Sequence, residues 1–208
     1  MHWELRDKIK TDVFDYLVLS DVLSSYSNIR GKIGRLLADG EIIRIKKGIY
    51  AFAPCLRRFS LNEGIIASML YGPSYVSRDF ALARYGLIPE SVYEVTSITR
   101  GRPRTFVTPV GRFSYLSNLS SSYGLGVTHC IVSEQAGGYM LAQPEKALFD
   151  KASCDLGFSA QSDVESYLED SLRIEISDLK RFDKPLLRQL RSVARGRMRF
   201  FVDFLLKL

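Results

Sequence analysis

The sequence predicts an α+β protein: an N-terminal winged helix-turn-helix domain followed by a larger α+β domain with a small antiparallel or mixed sheet and C-terminal helices. Three observations predict it. Helical apolar spacing through residues 20–38 runs straight into a basic hairpin at 41–53. The apolar period then changes to short strand-like runs between Tyr93 and Ala142, and helical spacing returns from Ser162. The boundaries read as residues 1–54 for the first domain, 55–60 for a linker and 61–208 for the second.

In chain order, Trp3, Leu5 and Ile9 stand at helical spacing and continue into Val13, Phe14 and Leu17, which predicts a first helix. Ser20 is placed to cap a second helix with Val22 and Leu23 inward. From Ser27, read as an N-cap, Ile29, Ile33, Leu36 and Leu37 form one stripe of a third helix, which Gly40 stops. The opposite face carries Asn28, Gly31, Lys32 and Arg35. Glycine in a helix costs about 1 kcal/mol relative to alanine, so Gly31 and Gly34 suit a helix that something approaches closely.

The hairpin EIIRIKKGIYAF pairs Ile42–Ile45 with Ile49–Phe52 across Lys46-Lys47-Gly48, a turn that Gly48 closes at positive φ and that exposes both lysines. Between Asn28 and Arg58 there are eight basic residues (Arg30, Lys32, Arg35, Arg44, Lys46, Lys47, Arg57, Arg58) against Asp39 and Glu41. An amphipathic helix with a basic outer face is by itself only a solvated surface. The order helix, turn, helix, basic hairpin points instead to double-stranded DNA, because each part has a docking role in helix-turn-helix proteins. Ser27, Asn28, Lys32 and Arg35 then face the major groove, where asparagine suits adenine and arginine or lysine suits guanine. Arg30 adds to the basic face, while Arg44, Lys46 and Lys47 hold phosphates or enter the neighbouring minor groove.

The 208 residues are 46% hydrophobic and carry a net charge of +6, enough apolar content for a real core and a balance that favours an anionic partner. The charge is uneven: residues 1–60 sum to +4, residues 61–160 to zero and residues 161–208 to +2. The apolar run Phe200–Leu208 falls far short of the ~20 residues of a membrane span, and the protein is expected to be cytoplasmic. Cys55, Cys130 and Cys154 are widely spaced and form no C-x-x-C pair, so they suggest small buried hydrophobes, not a disulfide framework or zinc cluster.

In the second domain Leu61, Ile65, Ile66 and Met69 predict a helix ended by Gly72-Pro73, and Ser77 opens another with Phe80, Ala81, Leu82 and Tyr85 apolar. Strands are predicted at Tyr93–Ile98, Thr105–Thr108, Arg112–Tyr115, Val127–Ser133 and Tyr139–Ala142, with Gly137-Gly138 as a hairpin turn. Pro144 fits the first position of the next helix, and the remainder from Val164 reads as helical.

Two further basic stretches stand out. Arg100-Gly101-Arg102-Pro103, followed by Arg104, spells the short core with which AT-hooks enter a narrow minor groove; between two strands it also reads as a plain basic turn that contacts nucleic acid or a protein partner. The C-terminal stretch sets Arg188, Arg191, Arg195, Arg197 and Arg199 beside an apolar face of leucines and phenylalanines. It reads either as a docked helical cap with a solvated basic side or as a second surface for an anionic partner.

Nothing points to catalysis, a metal or a cofactor. His2 and His129 are the only histidines, His129 inside a strand as a half-buried structural residue, and Tyr123-Gly124-Leu125-Gly126 lacks the third glycine of a phosphate loop.

The stretch Pro73–Leu119, PSYVSRDFALARYGLIPESVYEVTSITRGRPRTFVTPVGRFSYLSNL, with AQPEKALFDK at Ala142–Lys151 and the hairpin GEIIRIKKGIYAF, resembles the AbiEi-type antitoxin and transcriptional-regulator family over nearly the whole chain. The resemblance implies a non-enzymatic type IV antitoxin of an abortive-infection system that represses its own operon by binding inverted repeats. It implies a nucleotidyltransferase-like toxin as partner, countered mainly through the C-terminal domain and without need of a stable complex. It fits a chain that is monomeric in solution and pairs on the DNA. The alternative is a winged-helix regulator without a toxin, its second domain serving dimerisation or effector binding.

Overall fold

The computed structural model describes residues 2–208, with side chains from Leu5 onward, so Trp3 and His2 lie outside the described side chains. The fold is mixed α+β. Helix α1 (His2–Lys8) leads to strand β1 (Val13–Asp15), helices α2 (Tyr16–Val22) and α3 (Ile29–Ala38), and the hairpin β2 (Ile42–Lys46) and β3 (Ile49–Phe52). The three strands form an antiparallel sheet in the order β1-β3-β2, with Phe14 opposite Tyr50 and Arg44 opposite Tyr50 on the other side.

Val13 and Phe14 belong to that sheet and not to a continued first helix. Arg6 decides the change: its guanidinium donates to the carbonyl oxygens of Ile9 (2.7 Å) and Thr11 (3.1 Å) and to the carboxylate of Asp12 (2.9 Å), which ends α1 and turns the chain. The valine and phenylalanine that follow suit a pleated, buried strand. Leu17, expected inward, is 73% exposed on α2. The caps also fall five residues early for α2 and one residue late for α3. Asp15 caps α2, its Oδ1 accepting from the Val18 amide at 2.9 Å, where Ser20 was expected. Asn28, not Ser27, caps α3, its Oδ1 accepting from the Gly31 amide at 2.8 Å. Leu5, Ile9, Phe14, Leu19, Leu23, Ile33, Leu36 and Phe52 close the core beneath these helices.

The segment after β3 is tied down at several points. Arg57 Nε donates to the Phe52 carbonyl, and both oxygens of Asp12 accept backbone N–H groups, from Arg58 and Phe59. Val13, Ile45, Ile49 and Ala51 turn outward from the small sheet into one apolar cluster with Ile66, Leu70 and the larger sheet.

The rest of the chain runs α4 (Glu63–Leu70), β4 (Ser74–Val76), α5 (Arg78–Arg84), β5 (Glu94–Thr99), β6 (Arg104–Thr108), β7 (Gly111–Ser117), β8 (Val127–Ser133), β9 (Gly137–Ala142), α6 (Pro144–Cys154), α7 (Val164–Ser166), α8 (Ile176–Leu179), α9 (Lys184–Val193) and α10 (Arg197–Lys207). Its six strands lie in the order β6-β7-β5-β4-β9-β8. The sheet is mixed, since β5 with β7 and β4 with β9 are parallel and the other pairs antiparallel. Apolar spacing does not predict the three-residue β4, yet it is central to the sheet.

Side chains alternate across the sheet, so the register assigns its faces. Val76, Ser97 and Tyr115 share one face, and Tyr75, Ile98 and Leu116 the other. The Tyr115 hydroxyl donates to the Ala67 carbonyl of α4 at 2.6 Å, and the Tyr75 hydroxyl donates to Asp150 of α6 at 3.0 Å. The sheet is therefore held between α4 and α6, with α9 and α10 packed on the α6 side. Asp150 and Lys146 are fully buried and paired at 2.7 Å, with Ser77 adding a hydrogen bond at 2.8 Å.

Two other sequence expectations change, a half-buried His129 and buried cysteines. His129 is exposed on β8, and Cys55 and Cys154 are exposed while Cys130 is half-buried; all three thiols are free. No helix among the described residues is long and apolar enough to cross a membrane.

Candidate nucleic-acid interface

The outer face of α3 is built by the cap that starts it. Ile33 and Leu36 point into the core, which leaves Asn28, Gly31, Lys32 and Arg35 on the far side. Together with Ser27 and Tyr26 these four line a groove of about 310 Å³ at the N-terminal end of the helix. Thus the structure brings together Ser27, Asn28, Lys32 and Arg35. Arg30 and Arg35 are exposed and form no ion pair among the described residues.

Two of these side chains have local duties. The carbonyl oxygen of Asn28 is committed to the cap, so its amide NH₂ is what remains for a ligand. The Lys32 ammonium lies 5.4 Å over the ring of Tyr26. Tyr26 was missed in the sequence. It is 42% exposed between serines, and an aromatic in so polar a turn is the signal that could have found it.

In the hairpin, Arg44 is exposed beside the Tyr50 ring at 5.9 Å, and Lys47 is exposed at the turn. Lys46 is the correction. It was expected at the tip with Lys47, but its ammonium turns back, donates to the Leu70 carbonyl at 2.7 Å and lies 4.4 Å over the Phe106 ring. Burial, and then repulsion from Arg104, hold its ammonium below the ordinary lysine range. A β-bulge between Arg44 and Lys46 re-aims the side chain, an irregularity that apolar spacing does not reveal.

The same contact brings β6 up to the hairpin. Arg104 lies 5.3 Å over the Tyr71 ring and Arg100 lies 4.9 Å over Tyr123, while Arg102 is exposed at the turn. The arginines of the C-terminal stretch separate by role. Arg197 donates to the carbonyl groups of Phe158, Ser153 and Asp155, and Arg199 to that of Ala194, so both hold backbone in place. Arg191 pairs with Asp203 at 2.5 Å across α9 and α10. Arg188 and Arg195 are exposed, without an acidic partner among the described residues.

Among the described residues no three histidine, cysteine or acidic side chains gather as metal ligands. No family model matches the chain, and no curated protein matches it.

Proposed function

We propose that this chain is a winged helix-turn-helix repressor that also acts as a non-enzymatic antitoxin. The observation that carries the DNA reading is the face of α3: a cap, two glycines and unpaired basic side chains beside a hairpin that carries Arg44 and Lys47. Arg35 and the free amide of Asn28 suit base edges, while Arg30, Arg44 and Lys47 suit phosphates. The operator is double-stranded DNA with inverted repeats, and two monomers pair on it. The antitoxin half rests on resemblance alone, with a nucleotidyltransferase-like toxin opposed through residues 61–208 in the cytoplasm.

Gel-shift titration against the DNA upstream of its own gene tests the first half. Arg35→Ala is expected to cost about 1–3 kcal/mol and to relax base choice at one position, whereas Lys47→Ala lowers affinity for all sequences and flattens the salt slope. Unchanged affinity in Arg35→Ala overturns the orientation of α3. Co-expression of the full chain with the product of the adjacent gene, scored by growth, tests the second half.

A second reading, a regulator with an effector-binding domain and no toxin, is favoured by a cleft of about 630 Å³ in the larger domain.

A further inference from the structure

That cleft lies between the sheet, α6 and the corner joining α9 to α10. One wall is apolar, made by Ile98, Phe149, Val193 and Met198. The opposite wall is the polar turn after β7, Ser117–Ser122. Asn118 shapes that turn from within, accepting from the Ser120 amide at 2.9 Å and donating to the Ser122 hydroxyl at 3.1 Å. The hydroxyl of Ser121 has no partner among the described residues and is exposed.

The charge in the cleft has one sign. Asp150 borders it, but both carboxylate oxygens are committed, Oδ1 to the Lys146 ammonium and Oδ2 to the hydroxyls of Ser77 and Tyr75. The buried pair is neutral as a unit. Arg195 at the rim is the remaining charge, and no carboxylate among the described residues meets it. A guanidinium that lines the same cleft as a free hydroxyl matches the acceptor oxygens of a phosphate, and the facing wall matches a flat apolar group. The volume lies within the range of about 300–1,000 Å³ typical of small-molecule sites.

We propose that this cleft binds a small phosphomonoester with a flat, weakly polar part, of the nucleoside 5′-monophosphate class. The phosphate sits between Arg195 and the Ser121 hydroxyl, and the base lies along Phe149 and Met198. The site is remote in sequence from α3 and stands whether or not the chain binds DNA.

Isothermal titration of the full chain with AMP, UMP, adenosine and inorganic phosphate tests it. At least one nucleotide is expected to bind once per chain, with adenosine and phosphate at least tenfold weaker. Arg195→Ala is expected to weaken the nucleotide at least tenfold, and Ser121→Trp, which fills the mouth from an exposed position, to abolish binding. Arg188→Ala, outside the cleft on α9, leaves it unchanged. Melting temperatures of the three variants separate lost binding from lost folding. The proposal is overturned if neither nucleotide binds, if phosphate alone binds as tightly, or if folded Arg195→Ala and Ser121→Trp bind as the parent does.

Discussion

Lys46, the last residue of β2, and Leu70, the last residue of α4, are joined by a hydrogen bond of 2.7 Å from ammonium to carbonyl, with the Phe106 ring 4.4 Å beneath the charge. The carbonyl groups at the end of a helix lack intrahelical donors and carry the negative end of the helix dipole. The lysine satisfies one of them, and in doing so fixes the basic hairpin against the larger sheet.

Two adjacent lysines therefore have opposite expected phenotypes. Lys46→Met removes a charge-assisted hydrogen bond and is expected to destabilise the fold by about 1.5–3 kcal/mol. Lys47→Ala touches nothing in the protein and is expected to change stability by less than about 0.5 kcal/mol. Thermal denaturation reads the difference. Equal melting temperatures for the two variants would remove the contact from the account of the hairpin.

The Lys146–Asp150 pair predicts a non-additive cycle. Burial pushes the Asp150 carboxyl above the usual carboxylate range, against the pull of the Lys146 charge and its hydrogen bonds with Lys146, Ser77 and Tyr75. Removing one partner leaves the other charge buried, so Lys146→Met or Asp150→Asn alone is expected to cost about 3–5 kcal/mol. The double variant should recover a large part of that cost. Urea denaturation of the four proteins gives the coupling, and strict additivity would mean that the two side chains act separately.

Much of the architecture was legible because apolar residues recur where an element meets the core. Ile33 and Leu36 mark α3, and short β-prone runs mark the strands found at Glu94–Thr99 and Gly137–Ala142. What escaped was decided by contacts distant in sequence. Val13 and Phe14 look like a continued helix until Arg6 ends α1, and Ser74–Val76 is too short to show a period although it is central in the sheet. At the candidate site the helix face was legible as a set, since Asn28, Gly31, Lys32 and Arg35 share a groove. The inward turn of Lys46 was not, because the bulge that causes it and the rings that receive it lie outside any local pattern.

The α9–α10 ion pair sets an acid dependence. Asp203 is held below the usual carboxylate range, chiefly by the hydrogen bond from Arg191. Its carboxyl thus binds protons more weakly in the folded chain than in the unfolded one. The pair's stabilisation is present above the ordinary aspartate range and disappears as pH falls through the lowered value. The parent should lose melting temperature more steeply than Arg191→Gln below about pH 4, where a free aspartate begins to take up its proton. Curves that stay parallel for the two proteins from neutral pH down through that range would show that the pair contributes nothing.

Gly34 offers the sharpest separation between folding and binding. A Cβ built there meets no heavy atom within 4 Å, whereas one at Gly31 lies 2.7 Å from the Asn28 side chain and would disturb the cap. In the free protein Gly34→Ala fills open space in a helix and lowers the entropy of the unfolded chain, so it should stabilise α3 by up to about 1 kcal/mol. If α3 lies against a duplex as proposed, the same methyl occupies the space that a phosphate or base edge needs. Stability then rises while operator affinity falls, a pair of signs that a merely solvated helix does not produce. Melting temperature and gel-shift titration on one preparation measure both, and a stabilised variant with undiminished affinity would place the duplex elsewhere.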